Sequence, residues 1–325
     1  MFLLIYPGVS GRERLPDRMV QGKRISAWVK ESLRTDTYYN YTELFKTNGA
    51  DVTPYLIPAL RTQDSRLNSV WVGLWAKLPA RMQGWFDSPI VARDRRMRAV
   101  VLLREMGPPG KEAVPALIER LSDTDGHIRL HSAIALGGIG PAASNAVPAL
   151  LPFLKDRAYT VRVYTAEAIW QITGQVEPSL GVLETDIQDQ KASFRWSAAV
   201  FLGDMGAAAR PAIPLLEAAV TNGDKDVRSL SIQSLAEISP DTVPFLTNQL
   251  ADADPAIRIS ACVALGKLGA QATTAAPMLN RLLNDDAKGA PCIMGWPTTP
   301  GPVKPRAQEA LRKILGPKES TSNDN

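Results

Sequence analysis

His127 and His131 are the only histidines in this 325-residue chain, and they stand four apart. On a helix that spacing puts two imidazoles on one face, an arrangement that can hold a metal ion. No cysteine or acid follows at ligand spacing, so the pair reads as a variation at a helix start. His127 fills a slot held elsewhere by Asp94, Thr160, Ser193 and Asp226. A second set of chemistry-bearing residues is the series Arg96, Arg129, Arg162, Arg195, Arg228 and Arg258. As a free row of cations it could bind phosphate or an acidic peptide. The two cysteines, Cys262 and Cys292, make no disulfide framework. Cys262 falls in a helical pattern at a position held by Ala133 and Ala166 in other copies, which marks it as core filler. The chain has no G-x-S-x-G, no Walker loop and no G-x-G-x-x-G in a βαβ setting. The GGIG at 137–140 closes a helical pattern and is no phosphate loop. No catalytic residue, cofactor site or metal site is read from the sequence, and the chain is expected not to be an enzyme.

The arginines matter more for their spacing than for their charge. Four successive steps are 33 residues; the next is 30, and Lys304 takes the slot after a step of 46. Pro115, Pro148, Pro214, Pro244 and Pro277 form a second series, with Gly181 in one slot. Asp123, Asp156, Asp189, Asn222 and Asp252 form a third, six residues before the arginines, and Asp285 extends it. Aspartates repeating in step with arginines favour a structural ladder: Asp123 with Arg129, Asp156 with Arg162, and so on through Asp189, Arg195, Arg228, Asp252 and Arg258.

Each copy divides into two helical halves. In one copy Ser132, Ala133, Leu136 and Ile139 follow the arginine at the spacing of a single buried helix stripe, and Gly140 then stops the helix. Gly206 and Gly269 occupy the same stopping position. The second half starts near the proline, which the first helical turn tolerates. Two and six residues past that slot, all twelve positions are aliphatic: Leu117 and Leu121, Leu150 and Leu154, Leu183 and Ile187, Leu216 and Val220, Leu246 and Leu250, Leu279 and Leu283. A hairpin this short cannot bury both stripes alone, so neighbours must share one core.

The stretch DGHIRLHSAIALGGIGPAASNAVPALLPFL (125–154) resembles HEAT repeats, in particular the short HEAT-like class first noted in phycobilin lyases. The resemblance implies an all-α, right-handed α-α superhelix, a HEAT/armadillo-type solenoid of about seven two-helix units. HEAT-type metal hydroxylases carry repeated His-Glu pairs, and this chain has none. The expected layout is an N-terminal stub (1–18), an irregular helical leading cap with one degenerate repeat (19–93), the array (94–315) and a disordered tail (316–325). The order of QGK, a Trp-bearing helix, TNG and then repeats is similar to bacterial HEAT-repeat domain-containing proteins.

Two irregularities stand out. Trp170 sits where Gly137, Gly203 and Gly266 sit in other copies, and an indole there should change the local packing angle. The final copy carries an insertion, AKGAPCIMGWPTTPGPV (287–303), and solenoid insertions become surface loops.

Residues 1–104 hold 17 Lys and Arg against 9 Asp and Glu, a balance of +8; residues 105–325 hold 20 against 24, a balance of −4. The basic third is also the aromatic one, with Trp28, Tyr38, Tyr39, Tyr41, Trp71, Trp75 and Trp85. Helices are expected at 19–33 and 67–78, and a loop at 79–90. The opening MFLLIYPGV is too short to span a bilayer, which takes about 20 apolar residues. It reads as a stub, the remnant of a truncated anchor or signal, and no transmembrane segment is expected. Localisation stays open between the cytoplasm by default and the cell envelope if that remnant reading holds.

The composite expectation is a non-enzymatic protein–protein interaction scaffold, with Arg120, Phe153, Met294 and Trp296 as contacts for another protein. The alternative is a nucleic-acid-binding protein using residues 93–98 (RDRRMR) and the N-terminal aromatics. A lesser alternative, carried only by the resemblance, is a bilin lyase-like protein.

Overall fold

The computed structural model describes residues 17–34, 38–63, 66–75, 77–83, 91–189, 195–289 and 301–316. The fold is an all-α solenoid, and the chain forms two compact units, 1–150 and 151–325. Met294, Trp296, Cys292, Trp85, the tail from 317 and most of the N-terminal stub lie outside the described residues.

The first unit opens with a two-residue antiparallel ladder, β1 (Met19–Val20) and β2 (Lys23–Arg24). A helix expected from residue 19 therefore starts late. Gln21 and Gly22 both take positive φ, 50° and 75°, which reverses the chain in two residues. Helix α1 (Ile25–Ser32) follows, and Trp28 on it donates through Nε1 to the Val20 carbonyl at 3.0 Å. Then come α2 (Thr42–Thr47), α3 (Gly49–Leu60), α4 (Arg66–Trp75) and α5 (Ala80–Gln83). The last of these puts a helical turn at the start of the expected 79–90 loop. In α3 Leu56 and Leu60 are fully buried. The regular hairpins begin with α6 (Ala92–Met106) and α7 (Val114–Arg120), then α8 (Gly126–Ile139) and α9 (Val147–Leu150).

The second unit continues the pattern with α10 (Tyr159–Thr173) and α11 (Ser179–Gln188), α12 (Arg195–Asp204) and α13 (Ile213–Asn222), and α14 (Lys225–Ile238) and α15 (Val243–Asn248). The pair α16 (Pro255–Leu268) and α17 (Ala276–Arg281) is followed by the single helix α18 (Val303–Leu315), which packs on α16 and closes the end.

Within a hairpin the joint is set by glycine chemistry. Gly140 (φ 73°, ψ −145°) and Gly269 (φ 57°, ψ −134°) lie in a backbone region that only glycine occupies without strain. Each is followed by a 3-10 segment, Gly140–Ala146 and Gly269–Ala275, that carries the chain to the second helix. This break also explains why the apolar stretch 126–155, long and hydropathic enough to cross a membrane by composition alone, is no single straight helix. Its apolarity serves the core: Ile128, Leu136, Ile139 and Leu150 are fully buried.

Of the twelve aliphatic positions on the second helices, all but Leu283 are buried. In that last copy α17 ends at Arg281 and a 3-10 turn, Leu282–Asn284, follows. There Leu282 is buried and Leu283 half-buried.

Helices α12, α14 and α16 lie closely side by side, whereas α10 and α12 touch only lightly. Small residues allow the close approaches: a Cβ at Gly266 would stand 3.1 Å from the Ala310 Cα, and one at Gly203 2.6 Å from the Glu237 Oε2. The α10 slot holds Trp170 instead, and Tyr164 meets Phe201 edge-on with ring centres 5.2 Å apart.

Candidate interaction surface

The regular polar feature is a relay through the loops that precede each first helix. In three of these loops, and in the matching loop before α18, the first aspartate folds one oxygen onto the amide two residues on. Asp123 accepts from Asp125 N at 3.0 Å, Asp156 from Ala158 N at 2.7 Å, Asp252 from Asp254 N at 2.8 Å and Asp285 from Ala287 N at 3.0 Å. These Asx turns fix the loop and leave the second oxygen of Asp123, Asp252 and Asp285 facing the preceding repeat.

That geometry changes the pairing expected from sequence. Arg129 does not reach the Asp123 carboxylate; its Nη1 donates to the Asp123 main-chain carbonyl at 3.0 Å. Arg162 does the same to Asp156 at 3.0 Å, and Arg258 to Asp252 at 2.7 Å. The carboxylates of Asp123, Asp252 and Asp285 are taken by the arginine of the repeat before. Arg96 lies 2.9 Å from Asp123, Arg228 2.5 Å from Asp252, and Arg258 2.8 Å from Asp285. Arg258 thus ties the loop behind it to the loop ahead, and Asp252 carries Arg228 on its carboxylate and Arg258 on its carbonyl. The sequence spacing shows that the residues repeat in step, but not which oxygen faces which repeat.

Two steps depart from the pattern. Arg162 pairs with Asp186, not Asp189: its Nη2 stands 2.5 Å from Oδ1, and the Asp186 side chain is 2% exposed. Burial lifts the Asp186 carboxyl above its ordinary range, and the hydrogen bond and charge of Arg162 pull it back. Where the series has Asn222, Arg195 turns to Asp224 at 2.8 Å, the residue that also caps α14 through the Asp226 and Val227 amides.

The same accounting reaches the basic segment 93–98. Arg93 bonds Asp125 and Asp94; Arg96 donates to the Thr62 carbonyl at 2.9 Å as well as facing Asp123; and Arg98 donates to the Leu33 carbonyl at 2.9 Å. Three of its four arginines therefore do structural work. Arg120, expected as a partner contact, is half-buried with Nη1 3.2 Å from Asp123. Phe153 is half-buried in the 3-10 segment Leu151–Lys155.

The groups that could do chemistry are quiet. His127 is exposed at the start of α8, its amide capped by Asp125. His131 faces the Arg104 guanidinium at 3.1 Å, and burial together with that cation lowers its pKa to about 4, so the ring is neutral at pH 7. Cys262 is fully buried, which raises its thiol to about 12 and leaves it protonated and inert. Among the described residues no three His, Cys, Asp or Glu stand as a metal-holding group.

A row of acids crosses the first helices of the second unit: Glu167, Asp204 and Glu237, ended by Lys267, which pairs with Glu237. Burial, then the nearby Asp204, raises Glu167 to about 8, while Gln171 Nε2 donates to it at 2.8 Å. Folding then takes up a proton between the unfolded carboxyl pKa of about 4.3 and the native value, so Glu167 costs stability as pH rises through that window. Glu167→Gln keeps the shape. It is expected to stabilise the protein by about 1–3 kcal/mol at pH 8 and to change nothing at pH 4, read from urea midpoints at both pH values.

Beside the second helices of this unit the surface is open and mixed. Pro152, Thr185, Ala218, Asn248 and Arg281, all four residues past the proline slot, are exposed. Next to Ala218 lies a pocket of about 250 Å³ lined by Ile187, Leu215, Ala219, Asn222, Val227 and Arg195. The 287–303 insertion is pinched shut at its base. β3 (Lys288–Gly289) pairs with β4 (Gly301–Pro302), and Gly289 packs so tightly on Ala256 and Ile259 that a Cβ there would stand 2.7 Å from the Ile259 Cδ1.

The model of a known family, HEAT repeats, matches residues 92–169, 147–236 and 212–290. No curated protein matches the chain. Among solved structures, an engineered protein from the Northeast Structural Genomics Consortium is similar at 17% identity and a TM-score of 0.42, covering 89% of this chain and 78% of that one. Human deoxyhypusine hydroxylase in complex with glycerol is similar at 17% identity and a TM-score of 0.33, covering 84% of this chain and 99% of that one. With matches running from 92 to 290 over the hairpins and the Arg–Asp relay, the chain belongs to the HEAT-repeat family.

Proposed function

We propose that this chain is a non-enzymatic scaffold that binds another protein through the second-helix face of its second unit. The observation that carries this reading is the pocket beside Ala218, roomy enough for one anchoring side chain and set in an exposed row of mixed polarity. Protein interfaces draw most of their affinity from a few anchors in such pockets, amid surroundings no more apolar than the rest of the surface. The row carries Pro, Thr, Ala, Asn and Arg with no dominant charge, which suits a folded protein better than a polyanion. The relay supports the same reading, because its arginines are committed to loops and carbonyls rather than held out to a ligand.

The test is affinity capture with the full chain, followed by the same capture with Ala218→Glu, with Asn248→Lys, and with 290–300 replaced by a short Gly-Ser link between Gly289 and Gly301. A stable partner that the intact chain retains and Ala218→Glu releases by tenfold or more supports the reading, since a central anchor is worth about 2 kcal/mol or more. Capture indifferent to both substitutions refutes this face. Retention of duplex DNA at low salt, lost with added salt, would replace it with the nucleic-acid reading.

A further inference from the structure

The leading helices α4 and α5 in the first unit carry an apolar face that the repeat core does not use. Val70 is 60% exposed and Leu74 53%, one helical turn apart. Trp71 and Trp75, also one turn apart, meet edge-on with ring centres 5.9 Å apart and are half-buried. At 100° per residue these four side chains cover a contiguous arc of roughly 140°. Met82 on α5 adds another exposed apolar side chain. Neither helix packs extensively on another described helix.

The charges along the segment that bears this face are of one sign. Between Asp64 and Asp87 the sequence has no acid, while Arg66, Lys77 and Arg81 fall within that stretch. Lys77 and Arg81 are exposed. The combination is specific. Exposed aliphatic side chains gain nothing from nucleic-acid phosphates, so a polyanion would explain the cations and leave Val70 and Leu74 without a role. A lipid surface explains all of it. Aliphatic side chains enter the acyl boundary, indoles sit at headgroup level with their N–H groups toward water, and Lys and Arg face anionic headgroups.

We infer that α4 and α5 form an interfacial patch that docks the protein on an anionic lipid surface, with Val70 and Leu74 entering the apolar layer and Lys77 and Arg81 on the headgroups. The patch and the second-helix row share no residue, so the two readings stand or fall separately. The experiment is co-sedimentation of the full chain with phosphatidylcholine vesicles with and without phosphatidylglycerol, together with quenching of tryptophan fluorescence by brominated acyl chains. The expected result is binding to the anionic vesicles that weakens with salt, accompanied by quenching. Val70→Asp with Leu74→Asp should weaken it at least about tenfold, and Lys77→Gln with Arg81→Gln by about tenfold. The altered side chains are exposed, so circular dichroism should match the parent in each variant. Four outcomes overturn the inference: no binding to either vesicle; binding unchanged by the aspartates; binding with no bromolipid quenching; or concentration-dependent dimers that the aspartates abolish, which would assign the face to a second copy of this chain. Duplex DNA that displaces the vesicles and ignores the Val70 and Leu74 changes would assign it to nucleic acid and overturn the inference as well.

Discussion

Arg162→Met lowers the unfolding free energy by about 3–5 kcal/mol, because it leaves a buried carboxylate without its cation. Asp186 is 2% exposed, and Arg162 reaches it through both Nε and Nη2. Methionine fills similar space, so packing changes little and electrostatics dominates. Two controls separate this cause from general damage. Arg162→Met combined with Asp186→Leu removes the stranded charge and should recover most of the loss, since apolar pairs replace buried ion pairs at little cost. Acid should also help the single variant. Burial already holds the Asp186 carboxyl above its ordinary range, and losing Arg162 raises it further. A carboxyl whose native pKa exceeds the unfolded value of about 3.9 costs stability above the native pKa and is relieved as pH falls toward the unfolded one. The deficit of Arg162→Met should therefore shrink between pH 7 and pH 4.5 in urea titrations. A deficit independent of pH would mean that the lost bond to the Asp156 carbonyl, 3.0 Å away, accounts for the effect instead.

Leu150→Ala is expected to cost about 2–5 kcal/mol, whereas Leu151→Ala should stay within about 0.5 kcal/mol of the parent. The two leucines are neighbours in sequence and identical in chemistry. Leu150 is fully buried, while Leu151 is 42% exposed. Removing three buried carbons from Leu150 loses transfer free energy and leaves a cavity that the packed hairpins fill only partly. Equal losses at both positions would contradict the placement of the second-helix stripe. So would a larger loss at Leu151.

The hairpin repeat was legible in the sequence, and the reason is periodicity. A helix with one buried stripe demands apolar residues at fixed steps, and a stacked array demands them again in every copy. The leucines after each proline and glycines such as Gly140 and Gly269 therefore announced their places before any coordinates. The Asp–Arg series was legible as a repeating pair for the same reason.

What the sequence left open is everything set by direction in space. It could not show that the Asx turns aim each carboxylate backward, so that Asp252 serves Arg228 and lends only its carbonyl to Arg258. Nor could it show that Asp186 replaces Asp189 as the partner of Arg162, since both lie within reach along the chain and only burial separates them. In the acid row Asp204, Glu237 and Lys267 each stand nine residues past their arginine, as the repeat requires, whereas Glu167 stands five past Arg162, and only packing brings it near Asp204. Spacing along a chain determines which residues recur on a face. Which neighbour each polar group meets is decided by how the faces are packed, and that belongs to the tertiary structure.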